Sequence, residues 1–197
     1  MKDKKVLKLT YASVMTSLAL VIDLIFKAIP LMDMPRGGSI TISMLPLVIV
    51  AYACGWKYGL GAGITFGVLS CFVIDGYGFN AISFVLDYVI GFGSVAIAGL
   101  FSKKALKGNK LYFFFGFLLA AFIRWISSGF SGVLNAGIWG YDGVFLEGVF
   151  GAGKGGTLYL YIFSFIIYNF PYIFLSAGIS AILGILIYPQ FVKLNFE

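Results

Sequence analysis

Asp87 lies in an otherwise apolar run, between Leu86 and Tyr88, with no basic residue four positions away on either side. An ionisable group surrounded by hydrocarbon is costly and asks for a partner. Two readings stand side by side. In one, Asp87 forms a buried salt bridge with Arg124 and holds two helices in register. In the other, Asp87 is the counter-charge for a cationic or donor-rich ligand ringed by aromatic side chains, which attract a flat heterocyclic cation through stacking and cation–π contact. Tyr77, Tyr88, Trp139, Tyr141, Tyr168 and Asn169 fall on or near the same outer side. Asp23 and Lys27, four apart, have the spacing of a helical ion pair and read as structural.

Other chemistries find no support. The chain has no histidine, which removes the commonest general base, proton relay and metal ligand. Cys54 and Cys71 lie in apolar segments and read as packing rather than as a disulfide or metal site. Asp23, Asp75 and Asp87 have no motif spacing, so neither an intramembrane hydrolase, nor a metal site, nor a resident cofactor is expected. Gly148 to Gly155 approaches a phosphate-binding loop, but no Ser or Thr follows Lys154 to hold a metal ion, so it reads as a glycine-rich outer loop. The net charge of +6 needs no nucleic acid to explain it.

These residues must be positioned by membrane-spanning helices. Of the 197 residues 60% are hydrophobic and 11% charged, with a mean hydropathy of +0.99. Soluble domains carry roughly 25% charged residues. A helical span takes about 20 apolar residues. The sequence therefore predicts an all-α integral membrane protein, a single domain over residues 1–197 built as one bundle of about six spans. The spans are placed at 7–29, 40–56, 59–75, 81–101, 111–129 and 158–187, with kinks at Pro46 and Pro171. Lys2, Lys4, Lys5, Lys8, Lys57, Lys103, Lys104, Lys107, Lys110 and Lys193 then fall on one side, which places both termini in the cytoplasm of a cell with the chain in its plasma membrane.

Gly55, Gly59, Gly63 and Gly67, spaced by four, give the third span a face without side chains that another helix can approach closely. The first span carries small residues at Ala12, Ser13, Thr16, Ser17 and Ala19, a face for internal packing or for a partner protein.

Met34-Pro35-Arg36-Gly37-Gly38-Ser39-Ile40 followed by Ser43-Met44-Leu45-Pro46 resembles the first-loop signature of thiamine-specific S-components, the substrate-binding subunits of energy-coupling factor (ECF) vitamin transporters. Leu86-Asp87-Tyr88, Gly91-Phe92-Gly93 and Ala98-Gly99-Leu100-Phe101 are similar to that family's fourth helix. Arg124 with Ser131-Gly132-Val133, and later Tyr168-Asn169, fit the fifth and sixth. The resemblance implies a six-helix subunit that captures its vitamin from outside, beneath a lid formed by the first loop. It implies docking of the small-residue face of span one (Ala12, Ser13, Thr16, Ser17, Ala19) onto a membrane coupling subunit that carries two ATPases, so the chain itself would be no enzyme. Carried over by position, Asp87 faces a thiazolium ring, Tyr88 and Tyr77 are pocket aromatics, Gly132 is a close-approach glycine, Asn169 reads an aminopyrimidine, and Phe66 keeps an aromatic where tryptophan is usual. The chain departs from the pattern at Ser128, where a histidine is usual, and at Asn135 and Ala136, where an aromatic is expected. Trp139 or Tyr141 is expected to swing in for the missing ring. Another heterocycle or a thiamine precursor in the same scaffold is the first alternative, and a stand-alone ion-coupled carrier the second.

Overall fold

The structure is a computed structural model that describes residues 2–35, 37–75 and 80–191. Five helices are long and apolar enough to cross a bilayer. They are α1 (Lys2–Lys27), α3 (Trp56–Ile74), α4 (Ala81–Leu106), α5 (Lys110–Leu134) and α7 (Thr157–Leu186). Two shorter helices, α2 (Met44–Cys54) and α6 (Gly143–Phe150), complete the set used below. The expectation of a helical membrane protein holds, while the second expected span differs in kind. α2 has 11 residues, about 16 Å at 1.5 Å per residue against roughly 30 Å of hydrocarbon.

α2 sits inside the molecule rather than at its edge. Every residue of it except Leu45 is buried. It packs against α1, α3 and α4, and an all-round apolar sequence such as Leu47-Val-Ile-Val-Ala51 suits a helix with no lipid or water face. Pro46 falls in its first turn, where backbone N–H groups have no helical acceptor, so no kink arises there. The residues before α2 were expected to be helical. Residues 40–43 form loop and turn instead, and the loop before them carries an isolated antiparallel bridge between Asp33 and Ser39.

Glycines set the tightest contacts. A side chain at Gly63 would meet the Phe92 carbonyl and Val95, one at Gly67 the Tyr88 backbone, and one at Gly59 the backbone of Ala51. α3 therefore touches α2 and α4 backbone to backbone. Gly55 does not belong to that stripe, for its φ of 98° makes the turn between α2 and α3. The Tyr52 hydroxyl donates to the Phe113 carbonyl at 2.7 Å, and the two rings stack with centroids 5.0 Å apart. Outward-facing Val14, Leu18, Leu118, Phe122, Ile179 and Ile182 are exposed, the arrangement expected where lipid is the solvent.

α4 and α7 each open into a wide, π-type turn, at Phe84–Ile90 and Phe163–Asn169; α3 ends in a third, at Ser70–Asp75. The carbonyls loosened by such turns find partners on α5. Ser127 Oγ donates to the Leu86 carbonyl at 2.6 Å, and Trp125 Nε1 to the Phe165 carbonyl at 2.7 Å. Pro171, where a kink is expected, stands directly after this wide turn, at the start of a regular helical stretch.

Candidate functional site

All three wide turns lie at one end of the bundle, around a cavity of about 920 Å³. Asp23 and Lys27 of α1, Ser70 of α3, Ser83, Asp87, Tyr88 and Phe92 of α4, Arg124 and Ser128 of α5, and Tyr168, Asn169 and Tyr172 of α7 form its wall. Ile138 and Trp139 reach it from the segment after α5. The loop after α1 covers it with Met34, Pro35, Gly37, Gly38 and Ser39.

That loop is tied down by hydrogen bonds to α7. Tyr168 donates its hydroxyl to the Gly37 carbonyl at 2.9 Å, and the Thr41 amide donates to Ser176 Oγ at 3.1 Å. Gly37 and Gly38 have φ of 100° and 87°. At Gly38 even a methyl group would press on the Tyr172 ring, 2.9 Å away. The cover is thus seated on two tyrosines of α7.

Asp87 is half-buried and receives the Ser131 hydroxyl at 2.5 Å. Ser131 is in turn held by Asn135, whose Nδ2 donates to the Ser131 carbonyl at 2.9 Å and to its Oγ at 3.3 Å. Neither Ser131 nor Asn135 has any exposed surface. The salt-bridge reading of Asp87 is not the arrangement found. Arg124 lays its guanidinium over the Phe92 ring, 4.1 Å from the centroid, and its Nε is buried without a hydrogen-bond partner. Acid and guanidinium face the same cavity without closing on each other.

Of the sequence-predicted ligand residues, Asp87, Tyr88, Ser128, Trp139, Tyr168 and Asn169 come together in this wall. Tyr141, Phe66 and Gly132 do not line it. Tyr141 is buried in a separate aromatic cluster with Phe163, centroid distance 4.8 Å, and backs Tyr168 at 6.0 Å and Trp139 at 6.2 Å. Trp139, rather than Tyr141, therefore lines the cavity. Phe66 is fully buried and packs edge-on against Phe92 at 4.6 Å, one layer behind the wall. Gly132 lets α5 approach Ser164 of α7, where any side chain would collide. Tyr77 lies outside the described residues.

Asn169 is placed differently from the expectation. Its Nδ2 donates to the Ser164 carbonyl at 2.8 Å and the Ser128 carbonyl at 3.3 Å, while its Oδ1 accepts the Tyr172 hydroxyl at 2.9 Å. Its amide joins α5 to α7 and orients Tyr172. The sequence reading missed Tyr172, Phe92 and Ser70 as wall residues and took Asp23 as half of an ion pair. Asp23 accepts the hydroxyls of Ser43 at 3.1 Å and Ser70 at 3.3 Å, contacts that the local spacing did not reveal. The available signal was Asp23 itself, an acid in a membrane helix with hydroxyl residues at matching depth.

The small-residue set on α1 splits in two. Ala12, Thr16 and Ala19 are buried against the bundle, whereas Ser13 and Ser17 point outward beside Val14 and Leu18. The first three are internal packing residues, which corrects a docking face made of all five. The near-phosphate-loop segment is partly helical, since Gly148 and Val149 belong to α6, capped by Asp142 Oδ1 on the Phe145 amide at 2.8 Å.

Comparison with known proteins agrees with this architecture. The chain aligns with the thiamine transporter ThiT of Bacillus subtilis (strain 168) at 26% identity over 106 residues, which is 54% of this chain and 54% of that protein. That match thus spans about half the length of the curated relative. The solved structure of ThiT from Listeria monocytogenes superposes with a TM-score of 0.75 at 20% identity, covering 97% of this chain and 98% of that one, a likeness of fold. The profile of one family, described as thiamine transporter protein (Thia_YuaJ), matches residues 9–195. With nearly its whole length matched, the chain belongs to the thiamine transporter family, a family of transport and binding proteins rather than enzymes.

Proposed function

We propose that the chain is a single-domain, substrate-binding S-component of an ECF-type importer, taking thiamine into the cavity between α1, α3, α4, α5 and α7 from the outer face of the plasma membrane. The observation that carries this reading is Asp87, fixed by Ser131 and Asn135 at the rim of a covered cavity of about 920 Å³ with Tyr88, Trp139, Tyr168 and Tyr172 around it. A carboxylate held in one orientation and surrounded by rings suits a flat cation, because charge attraction and cation–π contact act together where water is scarce. In this reading α2 and the loop that leads into it make the sixth crossing, both termini are cytoplasmic, and the chain delivers its ligand when docked on a transmembrane coupling subunit with two ATPases. The outward face of α1 at Ser13 and Ser17 is the part of the predicted docking surface free to meet that partner.

A second ligand reading, another amino-heterocycle or a thiamine precursor in the same cavity, is favoured by Ser128. Its small hydroxyl leaves a space where the family pattern has an imidazole. Titration of the detergent-purified protein with thiamine and then with a panel of vitamins, read by tryptophan fluorescence, separates the two. Trp139 lines the cavity and reports on its contents. Saturable quenching by thiamine at submicromolar concentration supports the first reading, while a response to another heterocycle alone replaces the ligand. Uptake by cells that depends on ATP rather than on an ion gradient separates an importer of this type from an ion-coupled carrier.

A further inference from the structure

At the end of the bundle away from the cavity, α4 turns into α5 through a corner that carries Lys103, Lys104, Lys107 and Lys110, all exposed. No acidic residue stands between Asp87 and Asp142 in the sequence, so the corner brings no counter-charge of its own. Lysines at a membrane border orient a chain by their sign alone. These four are presented more firmly than that task needs. Gly108 makes the turn with a φ of 97°. The Asn109 side chain accepts from the Leu111 amide at 3.1 Å. Beyond α7, the Tyr188 hydroxyl donates to the carbonyl of buried Ala105.

Beside this corner, Phe101 of α4 and Phe115, Leu118, Leu119 and Phe122 of α5 line an apolar groove of about 440 Å³. The four α5 side chains are exposed on the outside of the bundle. Phe122 stands 12 residues beyond Lys110. At 1.5 Å per residue that is about 18 Å, close to the depth of one leaflet. Tyr112 joins corner to groove. Its ring packs beside Phe101 with centroids 6.2 Å apart. Lys104 Nζ lies 4.4 Å from the Tyr112 centroid and donates to its hydroxyl at 2.9 Å. An ammonium has three donors, so Lys104 keeps two for another acceptor, and the Tyr112 hydroxyl keeps its own proton to donate. A helix of another chain could fill the groove, but it would meet the lysines only by bringing acids to the corner. An anionic phospholipid carries a phosphate and an acyl chain in that order and over that depth.

We propose that the α4–α5 corner is a binding site for an anionic phospholipid, with the headgroup phosphate on Lys104 and Tyr112 and one acyl chain in the groove between Phe101 and Phe122. Lys103, Lys107 and Lys110 supply the positive field that selects a net negative headgroup over a zwitterionic one. The site needs only that the chain spans a membrane, and it is independent of what the cavity at the other end takes.

Native mass spectrometry of the full chain tests this, after release from micelles that hold equal amounts of phosphatidylglycerol and phosphatidylcholine with the same acyl chains. The wild-type chain is expected to retain one phosphatidylglycerol in preference to phosphatidylcholine by about fivefold or more. Lys103→Gln with Lys104→Gln is expected to bring that preference close to one. Lys4→Gln with Lys5→Gln removes the same charge from the start of α1 and is expected to leave the preference in place. Leu118→Trp fills the groove and is expected to lower lipid retention several-fold with every lysine intact. All the substituted side chains are exposed, so the variants keep the packing of the bundle. A wild-type preference near one overturns the proposal. An equal loss of preference in the two lysine pairs also overturns it, since net charge alone would then explain retention. Unchanged retention by Leu118→Trp overturns the groove as the seat of the chain. A dimer that Leu118→Trp dissolves, with no lipid preference beside it, gives the groove to a second copy of the chain and overturns the lipid site.

Discussion

The two ends of α4 are built in opposite ways. Toward the cavity, at Phe84–Ile90, the helix widens and none of its residues is fully buried. At the other end, Ser94–Phe101 tightens to about three residues per turn, and Ser94, Val95, Ala96, Ala98 and Gly99 are buried. The same division runs through the molecule. Away from the cavity, helices meet through glycine and alanine, with Gly99 against the Trp56 backbone and Gly116 against the Tyr52 hydroxyl. At the cavity end they are separated by hydroxyls, charges and wide turns whose carbonyls need α5 side chains as partners. A dry, closely packed end supplies the rigidity that lets the polar end remain open. The contrast predicts that substitutions at the two ends separate stability from binding.

The largest effect is expected at the closed end. Gly59→Val places two methyl groups where the side chain and backbone of Ala51 already stand. Overpacking of that kind costs roughly 1–3 kcal/mol, and a backbone neighbour that cannot move puts this position at the upper end. Thermal unfolding in detergent should show a clear drop in midpoint. Ligand affinity of the folded fraction should change little, and a large loss of affinity with unchanged stability would break the division between the two ends.

Asp87→Asn is the converse case. Losing a charge-assisted contact to a cation should weaken binding by about 1.5–3 kcal/mol, on the order of ten- to a hundredfold, with the unfolding midpoint almost unmoved. Calorimetry alongside thermal unfolding reads both quantities. A lowered midpoint with unchanged affinity would return Asp87 to a structural role.

Tyr168→Phe should give a smaller effect confined to the cover. It removes the hydrogen bond to the Gly37 carbonyl while keeping the ring in the wall. A net loss of about 0.5–1.5 kcal/mol is expected. It should appear as a several-fold faster ligand dissociation in stopped-flow fluorescence, with the association rate nearly constant, because the tie holds a loop that is already closed.

The sequence made the apolar helices legible, because lipid demands long uninterrupted hydrophobic runs. The close helix contacts were legible in part, through the glycine spacing at 59, 63 and 67, which runs from Ala51 up to the Tyr88 backbone at the cavity. The bounds of the second helix were misjudged, because hydropathy does not mark where a short helix buried by its neighbours begins. Met44–Cys54 is apolar on every side because its neighbours bury it. At the site, Asp87, Tyr88, Trp139 and Tyr168 were found because acids and rings at membrane depth are few enough to stand out. Asp23 was read only with Lys27, four residues on, because that spacing is local, while its hydroxyl contacts, Ser43 and Ser70, are 20 and 47 residues away. Asn169 was found for its polarity, but its engagement by Ser128, Ser164 and Tyr172 depends on a wide turn that no local sequence signal marks.

The smallest effects on folding and binding are expected on the outward face of α1, a helix whose two faces restate the contrast. Thr16 is buried and returns its hydroxyl to the Ala12 carbonyl at 2.8 Å, so Ala12→Leu would overpack the α1 contacts with α2 and α3 and lower stability by about 1–3 kcal/mol. Ser13 and Ser17 are exposed, and their hydroxyls bond to the Leu9 carbonyl at 3.0 Å and the Ser13 carbonyl at 3.1 Å. With its polar groups satisfied within the helix, this face offers lipid or a partner helix a shallow surface without raised side chains. Ser17→Leu should therefore leave stability within about 0.5 kcal/mol and thiamine affinity at the wild-type value. If this face meets the coupling subunit, the same substitution should abolish vitamin uptake in cells and co-purification with the ATPase module. Normal uptake by Ser17→Leu, beside lost folding in Ala12→Leu, would move the docking surface off α1 altogether and leave its small residues to internal packing.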